Sequence, residues 1–176
     1  IAGGTGNDAM SGGDDADLFV MEDDFGTDKI AGGEGGKDYD VVTFDALSNG
    51  VSVTYTGAEA GTATEGPNSV SFTEIENANS VIDAGDGIDT YVAGSGLGAD
   101  HTVDLAASRL DHAGNDRGDL LNFENVALEN SAASVKGDSK DNTITARGTQ
   151  DNSLSGGDGN DSIDGGGGND NLHGDA

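Results

Sequence analysis

Over long stretches of the chain, apolar side chains stand alone among polar ones, nine residues apart. Ile1, Met10 and Phe19 keep this spacing near one end, and Ile163 and Leu172 keep it near the other. Between them lie Gly, Asp, Asn and Ser, the residues of turns. Each unit leaves only about three residues outside its turn, enough for one short strand that sends its single apolar side chain to one face. The pattern predicts a series of very short strands separated by tight loops. The middle of the chain differs. Val42 and Phe44, then Val51, Val53 and Tyr55, alternate with polar residues around a turn at Ser48, Asn49 and Gly50. That period of two reads as longer strands. Val70 and Phe72 alternate likewise, and HTVDLAASRLD with LLNFENVAL makes a second such stretch. No apolar period of 3.6 runs far enough for a helix, although Ala106–Leu110 has room for one turn.

Aligned on the lone apolar residue, the units share a consensus. GGTGNDAMS starts at Gly3 and GGDDADLFV at Gly12. FGTDKIA places Gly26, Asp28 and Ile30 correctly, and AGDGIDTYV from Ala84 is a full unit with Ala in the first place. GGEGGKDYDVV from Gly32 carries an insertion, so that either Asp38 or Asp40 holds the sixth place. GDSKDNTIT, with Ala146 as an extra residue, then RGTQDNSLS, lead into GGDGNDSIDGGGGNDNLHG, Gly156 to Gly174. The unit is G-G-x-G-x-D-x-U-x, with U apolar. It resembles the calcium-binding nonapeptide of RTX proteins, the hemolysin-type calcium-binding family of secreted bacterial proteins. Residues 1–41, 82–99 and 137–176 form repeat blocks, and 42–81 and 100–136 are β-rich spacers similar to those between nonapeptide blocks in that family. The chain begins and stops inside a repeat, which reads as a piece of a longer protein.

Composition sharpens the picture. The net charge is −27, from 34 acidic against 7 basic residues, and Asp greatly outnumbers Glu. Leu, Ile, Val and Phe make up under a fifth of the chain. Such a chain is expected to be disordered unless something neutralises it. A polyanion without a basic patch is no nucleic-acid binder. Its apolar runs are too short for membrane insertion or a secretory core. The absence of Cys excludes disulfides and thiolate metal sites.

Calcium is a neutraliser of the right kind, because it takes six to eight oxygen ligands. A short turn supplies them only if backbone carbonyls point inward, which needs φ values that Gly adopts cheaply. Asp in the sixth place adds a short-armed carboxylate that loses little rotamer freedom. The candidate ligands are Gly4, Thr5, Gly6 and Asp8; Gly13, Asp14 and Asp17; Gly26 and Asp28; and Gly33, Glu34, Gly35 with Asp38 or Asp40. They continue with Gly85, Asp86, Gly87 and Asp89; Asp141 and Asn142; Asp151 and Asn152; Gly157, Asp158, Gly159 and Asp161; and Gly166, Gly167, Gly168 and Asp170. Asn142 and Asn152 depart from the consensus Asp, and Asp141 and Asp151 precede them as substitutes.

The resemblance implies an all-β fold, a right-handed parallel β-roll or β-solenoid with several calcium ions between its turns, here interrupted by the two spacers. Two nonapeptides would make one turn, so that the Asp8 loop shares ions with the Asp28 loop, and Asp17 with Asp38 or Asp40. Toward the other end, the Asn142 loop would stack on that of Asp161, and the Asn152 loop on that of Asp170. At about a hundred times Kd each filled site stabilises by about 2.7 kcal/mol. Several sites would then rival a domain's whole stability, about 5–15 kcal/mol. The implied role is a non-catalytic, calcium-folded module, a monomer secreted by a Gram-negative bacterium through type I export. One alternative is an adhesin whose spacers meet a host surface or cell-surface polysaccharide. Another is an enzyme of acidic polysaccharides built on His101, His112 and Arg109, which otherwise read as exposed loop residues balancing negative charge.

Overall fold

A computed structural model describes residues 1–35, 40–56, 59–75, 81–93, 101–112 and 115–175. The described residues hold eighteen strands and no helix, arranged as two nine-stranded mixed sheets. The chain starts by alternating between the sheets. Strands β1 (Ala9–Ser11) and β3 (Thr27–Ala31) pair in parallel in the first sheet. Strands β2 (Leu18–Glu22) and β4 (Val41–Ala46) do so in the second. The crossing from β1 to β2 uses one short loop that opens on Gly12 and Gly13, as the period of nine requires.

Each spacer replaces one strand by three. In the first sheet β5 (Ser52–Tyr55), β6 (Gly61–Glu65) and β7 (Asn68–Thr73) form an antiparallel meander. It is laid backwards: β7 pairs with β3, while β5 pairs with β9 (Thr90–Ala93). The second sheet repeats the device. There β10 (His101–Asp104), β11 (Arg109–His112) and β12 (Asn115–Leu121) are antiparallel, and β12 pairs with β8 (Val81–Asp83). The first strand of that meander, β10, pairs with β14 (Ala133–Lys136). Strand β13 (Asn125–Glu129) then joins β9 to β15 (Thr143–Arg147) in the first sheet. The stacks end at β17 (Ser162–Asp164) on β15, and at β16 (Ser153–Ser155) with β18 (Asn171–His173).

The expected all-β chain is therefore found, with parallel pairing along the repeats and antiparallel pairing in the spacers. The Ser48–Gly50 turn joins strands of different sheets, not a hairpin. No helical turn forms at Ala106–Leu110. Leu105–Ser108 is a tight turn, with Ser108 at a φ of 53°, and Arg109 already begins β11.

The lone apolar residues stack in register between the sheets. Met10, Ile30 and Phe72 form one ladder, and Val53, Tyr91, Val126 and Ile144 another. From the facing sheet come Phe19, Val42 and Ile82, and further along Val103, Val135 and Leu154. Four aromatic rings meet in a row from the first meander to Phe123. Tyr55 meets Phe72 edge-on at 5.7 Å, and Tyr91 meets Phe123 edge-on at 6.4 Å. Such pairs contribute about 0.5–1.5 kcal/mol beyond their area.

Candidate metal centre

The loops between strands line the edges of the two sheets, one above another. Within a consensus loop the second and fourth places lie in the left-handed region: Gly4 and Gly6 have φ of 81° and 122°, and Gly157 and Gly159 have 95° and 123°. Any side chain would be strained there. Asp15 nevertheless takes the fourth place of its loop with a φ of 67°. The first place is closed for another reason. A Cβ on Gly156 would lie 2.1 Å from Asp161 Oδ2, and one on Gly12 would lie 2.4 Å from Asp17 Oδ2. The carboxylate of the sixth place thus folds back over its own loop. Successive loops on one edge touch through backbone: a Cβ on Gly33 would lie 2.0 Å from Gly13 O, and one on Gly157 would lie 2.2 Å from Asp138 O.

Residues in the sixth place fall into columns. Leu18 pairs with Val41, which sets Asp17 beside Asp40. Asp38 lies outside the described residues. Asp8 stands beside Asp28 in the same way. A longer column on the first sheet's edge runs Val51, Asp89, Glu124, Asn142, Asp161, each one residue before a paired strand position. On the other edge Asn152 stands between Ala133 and Asp170. The side chains of Asp28, Asp40, Asp89, Asp161 and Asp170 each accept, through one oxygen, the backbone N–H of the preceding residue in the column. Asp8 N–H donates to Asp28 Oδ1 at 2.8 Å, Asp17 N–H to Asp40 Oδ1 at 2.8 Å, and Val51 N–H to Asp89 Oδ1 at 2.5 Å. Asn142 N–H donates to Asp161 Oδ1 and Asn152 N–H to Asp170 Oδ1, both at 2.9 Å.

The second oxygen is the informative one. Oδ2 of Asp8, Asp17, Asp28, Asp89 and Asp161 is buried with no hydrogen-bond partner. A buried, unsatisfied carboxylate oxygen is costly unless a cation meets it. Among the described residues no three His, Cys, Asp or Glu side chains gather into one cluster. A cation here would take one carboxylate oxygen from a loop and most of its shell from backbone carbonyls. That donor set, all oxygen and arranged on flexible turns, fits calcium. Gly4, Gly6, Gly13, Gly157, Gly159, Gly166 and Gly168 share the left-handed turn, as do Gly85 and Gly87 before Asp89. Asp14, Asp86 and Asp158 are exposed at the loop tips, and Asp14 Oδ1 lies over Gly35 of the neighbouring loop, 2.1 Å from where a Cβ on that glycine would be.

Burial pushes the Asp89 carboxyl up to about 6, aided by the nearby Glu124 and opposed by the Val51 N–H and Lys140. Asn142 and Asn152 behave differently from the Asp residues. Asn142 Nδ2 donates to Glu124 O at 2.8 Å and to Asp138 Oδ1 at 3.1 Å, and its Oδ1 accepts from Asp138 N–H. Asn152 Nδ2 donates to Gln150 O at 2.9 Å, and its Oδ1 accepts from Ala133 N–H. Asp141 and Asp151 turn to the next loop instead, each accepting a backbone N–H, from Asn160 and Asn169.

Two participants escaped the sequence reading. Glu124 Oε2 accepts the Asp89 N–H at 3.1 Å, as a sixth-place Asp would. Its signal was present: Glu124 precedes Val126 by two, the spacing of Asp and U. Lys140 donates to Glu124 Oε1, and this bond, with Asp138 and Asp89 near, raises the pKa of the ammonium. His101 is buried at the start of β10, not exposed, its backbone in register with His112 of β11, and Arg109 pairs with Asp111 on the surface at 3.0 Å.

Fold and loops together define an all-β repeat protein whose loop edges present oxygen atoms of the kind a hard divalent cation takes. The RTX calcium-binding nonapeptide repeat model matches in four copies, over residues 1–20 and 147–176. The chain carries RTX repeats at both its ends. No curated protein matches it.

Proposed function

We propose that the chain is a calcium-folded structural module of a larger extracellular bacterial protein. The ions lie between successive loops on each sheet edge, so that the repeat strands form a parallel β-roll interrupted by the two meanders. The observation that carries this reading is the set of buried, partnerless Oδ2 atoms on Asp8, Asp17, Asp28, Asp89 and Asp161. At the first level Asp8 and Asp28 contribute carboxylates, and the carbonyls of the loops around Gly6 and Gly26 complete the shell. Asp17 and Asp40 serve the opposite edge, and Asp161 and Asp170 serve the far end. The role is mechanical and non-catalytic. Calcium is scarce in a cytoplasm and plentiful outside, so the repeat segments stay extended for type I export and become rigid on arrival.

The test is a calcium titration of metal-stripped protein followed by far-ultraviolet circular dichroism, with magnesium as control. A cooperative gain of β signal near millimolar calcium, absent with magnesium, is expected. Magnesium holds its waters and demands a near-octahedral shell that these loops do not offer. A β spectrum indifferent to calcium and chelator alike would sink the reading.

A further inference from the structure

One level of the first sheet's edge holds a cation of its own. Glu124 faces the neutral Asn142, so that this level, like the Asn142–Asp161 level, offers a single carboxylate. Two carboxylates facing one divalent ion are balanced; here a single carboxylate needs a single positive charge. Lys140, in the place of the loop's fourth-position glycine, supplies it by donating to Glu124 Oε1. Among the described ion pairs this one has the most buried carboxylate, with the Glu124 side chain 12% exposed. The backbone has changed to match. Neither Asp138 nor Lys140 adopts the positive φ that the second and fourth places show in the Gly85 and Gly157 loops. The oxygens that would face an ion are spent on nitrogen donors, Glu124 O on Asn142 Nδ2 and Asn142 Oδ1 on Asp138 N–H.

We propose that the Glu124–Asn142 level is a calcium-free joint, in which the Lys140 ammonium and the Asn142 amide occupy the place an ion takes elsewhere in the stack. The joint rests on the calcium-folding reading above and adds to it: the repeat column is interrupted by a built-in cation, and the strands on either side, β13 and β15, are coupled whether or not calcium is present. A fixed monovalent charge on a tethered chain leaves with no concentration dependence, whereas a bound ion follows mass action.

The test counts calcium ions on the full 176-residue chain at saturating calcium by native mass spectrometry. The Lys140→Gly/Asn142→Asp double variant, which restores the consensus fourth and sixth places, is expected to bind one ion more than the wild type. Circular dichroism of Lys140→Met provides the second measurement, independent of whether the double variant folds. Its folding midpoint is expected to move to higher calcium, since Glu124 loses its counter-charge, while Lys140→Arg keeps the wild-type midpoint. An unchanged ion count in a folded double variant, or an unchanged midpoint in Lys140→Met, overturns the joint. A wild-type chain that binds no calcium overturns the reading beneath it instead.

Discussion

Burial holds the Asp89 carboxyl near 6, against 3.8 for the unperturbed side chain. Its folded pKa is raised, so its contribution to the metal-free fold is fully present below about pH 4 and is lost as pH rises toward 6. Calcium runs the other way, because it binds the ionised carboxylate. The expected outcome in metal-stripped protein is a fall in the urea midpoint between pH 4 and 6.5 that is smaller in Asp89→Asn. Parallel slopes for the two proteins would remove Asp89 as the cause. The partnerless Oδ2 atoms of Asp8, Asp17, Asp28 and Asp161 show the same principle at other loops: a group left unsatisfied by the protein points to a partner outside it.

Among the elements, the first meander contributes Phe72, one of the largest fully buried side chains of the core. Phe72 is buried from β7, edge-on to Tyr55, and a Cβ on Gly61 of β6 would lie 2.3 Å from its ring. Phe72→Ala is expected to cost about 3–5 kcal/mol, the range for a buried aromatic, measured by urea unfolding at fixed calcium. A loss under about 1 kcal/mol would mean that the site collapses around the missing ring. Much of this layer was legible in the sequence. Alternation marked β4, β5 and β7, and the period of nine marked β1, β2 and the strands from β15 onward. Pairing was less visible, because Val42–Phe44 and Val51–Tyr55 look the same whether they form a hairpin or face each other across the core. Strand β6 was missed, since Ala63 is its one buried apolar residue in a run of Gly, Thr and Glu. The Asp38 or Asp40 choice turns on register, which an insertion in the loop hides; the Leu18–Val41 pairing sets Asp40 beside Asp17, and Asp38 lies outside the described residues. Glu124 and Lys140 were missed because the consensus asks for Asp and Gly at their places, and only their contact shows that the two changes compensate.

For the molecule as a whole, stabilisation is unevenly distributed. Tyr91, Phe72 and Phe44 are fully enclosed in the middle, whereas Leu172 in β18 remains 47% exposed and β17 is open on both outer positions. The C-terminal end therefore depends on ions and the middle on packing. Hydrogen exchange of metal-stripped protein is expected to find protection at Val53, Tyr91 and Val126 and fast exchange over 156–175, with calcium slowing that end. Uniform exchange along the chain would contradict this division.

The backward lay of the meanders has a consequence for how the chain assembles in time. Elsewhere each new strand settles beside one already in place, so the stack can grow turn by turn. On leaving β4 the chain must instead set β5 three strand spacings beyond β3, about 14 Å at 4.7–4.9 Å per spacing, and only then fill the gap with β6 and β7. Until β7 docks on β3, nothing ties the new hairpin to the finished turns. A chain emerging gradually from a pore would pause at this point, and again at β10, before the next repeat could close.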